Sequence, residues 1–218
     1  MPLGDRGGSR LEGVSAPTAP HPASYAEASK QLLRATLLDG MRNLLREKDW
    51  ARVTMADVAR QAGVSRQTVY NEFSSRAGLA QAYALRLADE FCGEIVAAVA
   101  AHEDDVEGAL RAGFTGFLAS AADDPLIQSL LSGEAKPDLL KLITTDAAPL
   151  IASASAQLEV LLVESWIAID QELAGRIARM IARMALSYVA MPPDPDADTD
   201  VADDLAAVLA PAIVAARA

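Results

Sequence analysis

Residues 54–79 decide how the rest of this chain is interpreted, and they read TMADVARQAGVSRQTVYNEFSSRAGL. Thr54, followed three residues later by Asp57, is a capping-box pattern that predicts a helix beginning just after Thr54. Gly63 ends that helix, because a tight turn needs a positive φ that glycine adopts freely. Ser65 then provides the N-cap of a second short helix.

The second helix has one apolar side and one polar side. Val69 and Phe73 are four residues apart, so both fall on the face that packs inward. The side chains on the other face are Arg66, Gln67, Thr68, Tyr70 and Asn71. Two capped helices joined by a glycine are typical of a helix-turn-helix, although the pattern also occurs in helical proteins of other kinds.

Polar residues in and around the second helix suit contacts with DNA. Side chains with donors and acceptors can read base edges in the major groove, whereas hydroxyls and cations suit phosphate oxygens. The residues predicted to read bases are Arg66, Gln67, Thr68 and Asn71. The residues predicted to hold phosphates are Thr54, Ser65, Tyr70 and Arg76.

At these residues the sequence resembles the TetR family of bacterial transcriptional regulators. The family pattern has Thr at the first cap, Ile/Val-Ala, Ala-Gly-Val-Ser, and an aromatic-x-x-Phe ending. Here these are Thr54, Val58-Ala59, residues 62–65, and Tyr70 with Phe73. Residues 75–79, Ser-Arg-Ala-Gly-Leu, stand where the family has Ser/Asn-Lys-Glu-x-Leu. The resemblance is specific over about residues 30 to 90.

Two positions depart from the family pattern. Glu72 stands where His or Tyr is frequent, and a carboxylate near phosphates is unfavourable unless it accepts from cytosine or pairs with an arginine. Arg76 keeps the charge of the usual lysine but changes its geometry. The Tyr70–Phe73 variant is similar to that of actinobacterial members linked to alkane and fatty-acid genes.

Charge is divided unequally along the chain, whose formal net charge is −11. Residues 30–89 carry ten Lys or Arg against six Asp or Glu, whereas residues 90–218 carry seven against twenty-one. The acidic part would repel DNA and is expected to face away from it. We therefore predict a disordered tail over 1–23, a DNA-binding domain over 24–78, and a helical ligand-binding and dimerisation domain over 79–218.

The composition favours an all-α fold, because 51% of the residues are hydrophobic and only 5% are aromatic. Apolar residues at helical spacing predict a first helix at 24–48 and a long helix from Ser75 to about Ala101. The last two helices are predicted at 170–190 and 199–216. The resemblance implies that the long helix transmits ligand binding from the body to the DNA-binding domain.

An apolar ligand cavity in the acidic body is implied by the resemblance, and its effector would be small, apolar and lipid-like. The pocket candidates are large apolar residues that could equally be ordinary core. They are Phe91, Phe114, Phe117, Leu118, Leu130, Leu131, Trp166, Met180 and Met184.

The resemblance also implies a homodimer in which the last two helices of each subunit form a four-helix interface. The candidates are apolar residues of those helices: Leu173, Ile177, Ile181, Tyr188, Leu205, Val208, Leu209 and Ile213. A basic stripe of Arg176, Arg179 and Arg183 is either a solvated face or a partner for the acidic loop near residues 192–204, across a dimer.

No pattern of catalytic residues is present. The histidines are His21 and His102, the single cysteine is Cys92, and their spacing suits no metal site, so we expect no enzyme activity, metal or cofactor. One cysteine fits a reducing cytoplasm, and no apolar run approaches the roughly 20 residues that span a bilayer, so no membrane association is expected.

The sequence as a whole favours a ligand-responsive bacterial repressor that binds a palindromic DNA operator as a homodimer and is released by the effector. The alternative is a helical lipid-binding or interaction protein whose helix-turn-helix no longer binds DNA.

Overall fold

The computed structural model describes residues 22–132, 136–193 and 200–217. These residues form ten α-helices and a single 3-10 turn, Trp50–Arg52, with no strand among them. The helices are α1 (Pro22–Glu47), α2 (Met55–Gln61), α3 (Arg66–Phe73), α4 (Arg76–Ala101), α5 (Val106–Asp123), α6 (Pro125–Leu131), α7 (Pro137–Ile143), α8 (Ala148–Glu164), α9 (Gln171–Ala190) and α10 (Val201–Ala216). The all-α prediction is confirmed, and the predicted bounds agree with the observed ones to within about two residues.

Two sequence predictions concern residues that fall wholly or partly outside this description. The tail was expected over 1–23, and residues 1–21 lie outside the described part, while Pro22 already begins α1. Residues 194–199 of the acidic loop also lie outside it.

The chain comprises two units that divide within α1, between Ala35 and Thr36. In the second unit α8 packs on α9, α4 packs on both α5 and α8, and α10 packs on α5. Side chains of α4, α5, α8, α9 and α10 form one buried apolar cluster that includes Phe114, Ile177, Leu209 and Ile213. The long helix α4 thus belongs both to the helix-turn-helix end of the unit and to this core.

The N-terminal cap of α2 has the predicted capping-box geometry. The Asp57 backbone N–H donates to Thr54 Oγ1 at 3.2 Å, and the Thr54 backbone N–H donates to Asp57 Oδ2 at 3.1 Å. The Lys48 ammonium lies 2.8 Å from the same carboxylate, and its hydrogen bond holds the pKa of Asp57 well below the usual range. These contacts fix where α2 begins relative to the end of α1.

Two glycines allow the tight connections on either side of α3. Gly63 has φ of +68°, as the turn after α2 requires. At Gly78 an added Cβ would lie 2.2 Å from the Phe73 carbonyl oxygen, so only glycine lets α4 begin this close to α3. The Ser75 hydroxyl caps this start by accepting from the Gly78 N–H at 3.0 Å.

One apolar segment is longer than the sequence prediction allowed. By length and composition, Pro137–Glu164 could cross a membrane. In the structure the segment is divided into α7 and α8 by a turn at residues 144–147, and α8 packs on α4 and α9. The prediction that no such segment exists was wrong, because Pro137–Glu164 is apolar on average although charged residues such as Asp146 and Glu159 interrupt it.

Replacing Asp57 with asparagine should lower the free energy of unfolding by about 1 kcal/mol at pH 7, the usual size of an N-cap contribution. Because the carboxyl pKa is lowered in the folded state, this stabilisation is complete above about pH 4, the usual unfolded pKa of aspartate, and is lost as the pH falls further. Urea unfolding at pH 7 and pH 3 measures the difference. The control is Glu103→Gln in the turn after α4, and a loss at Asp57 no larger than the control's would contradict the capping role.

Candidate DNA-reading helix and ligand cavity

Helix α3 presents its polar face as the sequence predicts. Val69 and Phe73 are buried beneath it. Ser65 caps the helix by accepting from the Thr68 N–H at 3.1 Å. Arg66, Gln67 and Asn71 are exposed, while Thr68 and Tyr70 are half-buried.

The exposed side chains of α3 pair with one another along the helix. Gln67 Nε2 donates to Asn71 Oδ1 at 2.8 Å, and Arg66 Nη2 donates to Tyr70 Oη at 3.1 Å with its guanidinium 5.2 Å from the ring centroid. These pairs are i, i+4 neighbours, which helix geometry brings together. The two pairs keep the side chains of Arg66, Gln67, Tyr70 and Asn71 together on the outer face of α3. Each of these side chains still has a hydrogen-bond donor or acceptor that a partner can use.

Arg76 contacts other parts of the protein. Its guanidinium stacks on the Trp50 ring at 3.9 Å from the centroid. Nε donates to the Val53 carbonyl at 3.0 Å, Nη1 donates to Asp138 at 2.8 Å, and Nη2 donates to the Trp50 carbonyl. These contacts favour a structural role for Arg76 over the predicted phosphate contact, because three of its N–H groups donate inside the protein. Thr54 and Ser65 serve as caps yet remain exposed.

An apolar cavity of about 120 Å³ lies between α4, α5, α6, α7, α8 and α9. Four predicted pocket residues line it, namely Phe91, Phe114, Phe117 and Leu130. Phe91 and Phe117 meet edge to face, with their ring centroids 5.2 Å apart. The other lining residues include Leu126, Ile127, Leu139, Leu142, Leu150, Ile151, Ala154, Leu158, Ile181 and Leu186. Sequence reasoning missed these, because nothing in an apolar helical pattern separates a cavity wall from filled core.

Five predicted pocket residues lie elsewhere. Leu131 and Met180 are exposed, Leu118 is half-buried away from the cavity, and Met184 packs against the core cluster. Trp166 donates from Nε1 to the Val99 carbonyl at 2.7 Å. These errors arise because neighbouring residues on a helix point in directions about 100° apart, so an apolar residue next to a cavity-lining one can face another way.

The cavity offers a ligand no charged group. Cys92 carries the most polar side chain on its lining, and burial raises the pKa of that thiol to about 11, so it stays protonated at neutral pH. A carboxylate placed inside would have no partner, and burying an unpaired charge is strongly unfavourable. The cavity therefore suits a hydrocarbon chain.

A polar cluster, which we call the Trp50 cluster, joins the cavity wall to the helix-turn-helix. The buried Trp50 donates from its backbone N–H to Ser129 Oγ at 2.9 Å and from Nε1 to Asp138 Oδ2 at 2.8 Å. Asp49 accepts from Ser129 Oγ at 2.8 Å and pairs with the buried Lys136 at 3.1 Å. Ser129 lies on α6 and Asp138 on α7, and other residues of these two helices line the cavity.

A second connection runs through Tyr83 on α4. Its hydroxyl donates to Asp124 Oδ2 at 2.8 Å and accepts from Arg42 Nε of α1 at 2.8 Å. Burial, followed by the nearby Asp124 carboxylate, raises the pKa of Tyr83, so the hydroxyl keeps its proton. Asp124 also caps α6 by accepting from the Leu126 N–H at 2.8 Å. The start of a cavity-lining helix is thus fixed to α1 and α4.

Several residues predicted for a dimer interface lie inside the chain's own core. Ile177, Ile181, Leu209 and Ile213 are at most 7% exposed. Such side chains have no area left for a partner, so the prediction is corrected for these four. Leu173, Tyr188 and Leu205 are half-buried, and Val208 is 74% exposed.

Among the described residues, no three His, Cys, Asp or Glu side chains lie close enough together to hold a metal ion.

Two family models match the chain. The model described as "Bacterial regulatory proteins, tetR family" matches residues 37–83, which include the helix-turn-helix. The model described as "Bacterial Tetracyclin repressor, C-terminal domain" matches residues 105–211.

Similar proteins agree with both matches. The HTH-type transcriptional regulator AlkX of Mycobacterium tuberculosis is 53% identical, covering 86% of this chain and 88% of that protein. A crystal structure of a similar protein is that of the TetR family repressor AlkX from a Dietzia strain, a repressor implicated in biodegradation of n-alkanes. Its sequence is 46% identical to this chain, and the two structures match with a TM-score of 0.78 over 85% of this chain and 97% of that one. A TetR regulator from a Rhodococcus species, 16% identical over 84% of this chain and 96% of that one, shares the fold with a TM-score of 0.57. With both domains matched and a relative more than half identical, the chain belongs to the TetR family of DNA-binding transcriptional regulators and is not an enzyme.

Proposed function

We propose that this repressor binds a palindromic operator as a homodimer and leaves it when an apolar effector enters the cavity. TetR regulators bind DNA operators and typically act as homodimers. The observation that carries the proposal is an apolar cavity whose walls, α6 and α7, are hydrogen-bonded to the residues that precede the helix-turn-helix. We place the protein in the cytoplasm and keep the functional division into a reader, 24–78, and a body, 79–218.

In this proposal the exposed face of α3 reads the operator in the major groove. Gln67 and Asn71 carry amides that can pair with adenine, and Arg66 can pair with guanine. Thr68 reads a further base edge, while Thr54, Ser65 and Tyr70 hold phosphates. Support comes from the exposure of Arg66, Gln67 and Asn71 and from their pre-arranged pairs.

Replacing Gln67 or Asn71 with alanine should reduce discrimination between operator and scrambled duplex by about 1–3 kcal/mol, the usual value of a paired base contact. Binding to scrambled DNA should stay unchanged, since no charge is removed. Fluorescence anisotropy with an operator selected from random duplexes measures both affinities. Gln157→Ala, which removes an amide from α8, is the control, and equal losses in all three variants would contradict base reading by α3.

Replacing Arg76 with glutamine should lower the free energy of unfolding by roughly 1–3 kcal/mol, because Asp138 and the Trp50 carbonyl lose a charged donor. The salt dependence of DNA binding should not change. Arg66→Gln removes a charge that faces DNA and should reduce the slope of log K against log salt by about 1. If Arg76→Gln also reduced this slope, Arg76 would contact a DNA phosphate, as first predicted from the sequence.

The effector we propose is an alkyl compound. The Dietzia relative is implicated in n-alkane biodegradation, and the lining here is apolar throughout. A volume of about 120 Å³ is below the roughly 300–1,000 Å³ of typical ligand sites, so a longer chain must widen the cavity. Widening displaces α6 and α7 and strains the Trp50 cluster, and DNA affinity then falls by the effector's differential affinity for the two states.

Replacing Ala154 with leucine puts additional carbon into the cavity and should weaken decan-1-ol binding at least tenfold while operator binding is kept. The reason is that the ligand and the new side chain compete for the same space. Calorimetric titration and release of labelled operator provide the measurements. Ala97→Leu, at an exposed position of α4, is the control, and unchanged decan-1-ol binding in Ala154→Leu would place the effector elsewhere.

For the dimer we propose the exposed faces of α9 and α10. Met180 is 55% exposed, Val208 74% and Val214 53%, so these apolar side chains are available to a second subunit. Leu173, Tyr188 and Leu205 border the same faces. Burying such side chains between two copies would supply the apolar area that a stable interface needs.

A further inference from the structure

The exposed face of α3 carries two hydrogen-bonded pairs of the same kind. In each pair a long, flexible side chain is bonded to a shorter or stiffer one that follows four residues later. Gln67 Nε2 donates to Asn71 Oδ1 at 2.8 Å, and Arg66 Nη2 donates to Tyr70 Oη at 3.1 Å. The Arg66 guanidinium also lies 5.2 Å from the centroid of the Tyr70 ring. The first member of each pair is therefore held in place by the second.

The two flexible members lie in the first turn of the helix. Helix α3 begins at Arg66, so Arg66 and Gln67 are its first two residues. Tyr70 and Asn71 lie one turn further along. A recognition helix in a major groove contacts base edges with its N-terminal residues. Both Arg66 and Gln67 are exposed, and Gln67 has one more methylene group than Asn71, so its amide extends further from the helix axis.

The groups that the two pairs leave free match two particular bases. Gln67 uses one of its two amide N–H groups on Asn71, which leaves one N–H and the oxygen Oε1. Adenine offers N7 as an acceptor and its N6 amino group as a donor, so Gln67 can bind it while staying bonded to Asn71. Arg66 uses one of its five N–H groups on Tyr70, and two of the others suffice for N7 and O6 of guanine.

Holding a flexible side chain in place before DNA binds favours the matching base. The side chains of Gln and Arg lose more rotamer freedom than most when they become fixed, and this loss opposes binding. A neighbour that already fixes them in the free protein removes part of that loss. The benefit is confined to the matching base, because only that base requires the side chain in one arrangement. A supporting residue can thus increase discrimination between bases without contacting a base itself.

We propose that Arg66 and Gln67 select a G·C and an A·T pair in each operator half-site, and that Tyr70 and Asn71 are positioning residues that act through them. This inference rests on the proposed function, since it requires α3 to lie in the major groove. Asn71 then supports Gln67 and contacts no base of its own. Tyr70 has a second role besides its phosphate contact, because a hydroxyl can accept from Arg66 and still donate its proton to a phosphate oxygen.

The test is the selection of bound sequences from random duplexes by the full-length protein and its variants, which gives the base preference at each position of the half-site. Arg66→Ala and Gln67→Ala identify the base pair that each of these two residues reads. Asn71→Ala and Tyr70→Phe remove the supporting groups. Asn71→Asp keeps an acceptor for Gln67 and removes the amide donors.

Gln157→Ala is the matched control. The amide of Gln157 also donates to a residue one turn away on its own helix, Ser153, but it lies on α8, outside the helix-turn-helix. This variant should have the base preferences of the unaltered protein. Circular dichroism confirms that each variant is folded.

At the base pair read by Gln67, Gln67→Ala should reduce the preference for adenine about tenfold, within the usual range for a paired base contact. Asn71→Ala should reduce it about fivefold at the same base pair, because Gln67 must then be ordered on binding. Adding Asn71→Ala to Gln67→Ala should reduce it no further, as expected when one residue acts only through the other. Asn71→Asp should keep the preference for adenine, although its charge weakens binding to every duplex.

Three results would overturn the positioning role of Asn71. They are a loss of preference at a different base pair in Asn71→Ala, no loss at any base pair, or a new preference for cytosine in Asn71→Asp. The first and the third would mean that Asn71 reads a base directly, since a carboxylate accepts from the cytosine amino group.

Tyr70→Phe should reduce the preference for guanine at the base pair read by Arg66 about fivefold, and it should also weaken binding to every duplex. Uniform weakening with unchanged base preferences would overturn the positioning role and leave Tyr70 with a phosphate contact only. If the unaltered protein selects no sequence at all, the proposed function itself is refuted.

Discussion

Trp50 fixes the position of the helix-turn-helix relative to the ligand cavity. It is fully buried; its backbone N–H donates to Ser129 and its indole N–H to Asp138, while its carbonyl and its ring both contact the Arg76 guanidinium. Two of those partners, Ser129 and Asp138, lie on helices that line the cavity. Buried polar groups are costly when they lose their partners, so this junction has few alternative arrangements of similar energy. A displacement of α6 or α7 would therefore be transmitted through Trp50 to the helix-turn-helix that contains α3.

The apolar cavity is the part of the core that is not filled. Its volume is about 120 Å³, and the side chains that line it lack packing contacts on that side. A hydrocarbon chain that fills the cavity recovers dispersion contacts, so ligand binding is favourable without any polar contact. Under the proposed function, this binding would shift the protein away from its DNA-binding arrangement by the ligand's differential affinity for the two arrangements.

Positive and negative charges are concentrated in different parts of the chain. The basic residues concentrate in residues 30–89, which include the helix-turn-helix, and the acidic residues concentrate beyond them. Within the body most arginines are neutralised by neighbours, as Arg111 is by Asp203. Arg179 and Arg183 are the exceptions among the described arginines of that region, and both line a hollow between α8 and α9.

The sequence by itself determined the features that depend on near neighbours in the chain. The caps at Thr54 and Ser65, the positive φ at Gly63 and the polar face of α3 follow from spacings of one to four residues, and the structure has each of them. Only the tertiary structure decided the role of Arg76, because its partner Asp138 is 62 residues away. The same holds for the cavity walls and for the burial of Ile177 and Ile213, since helical periodicity identifies an apolar face but not what that face will meet.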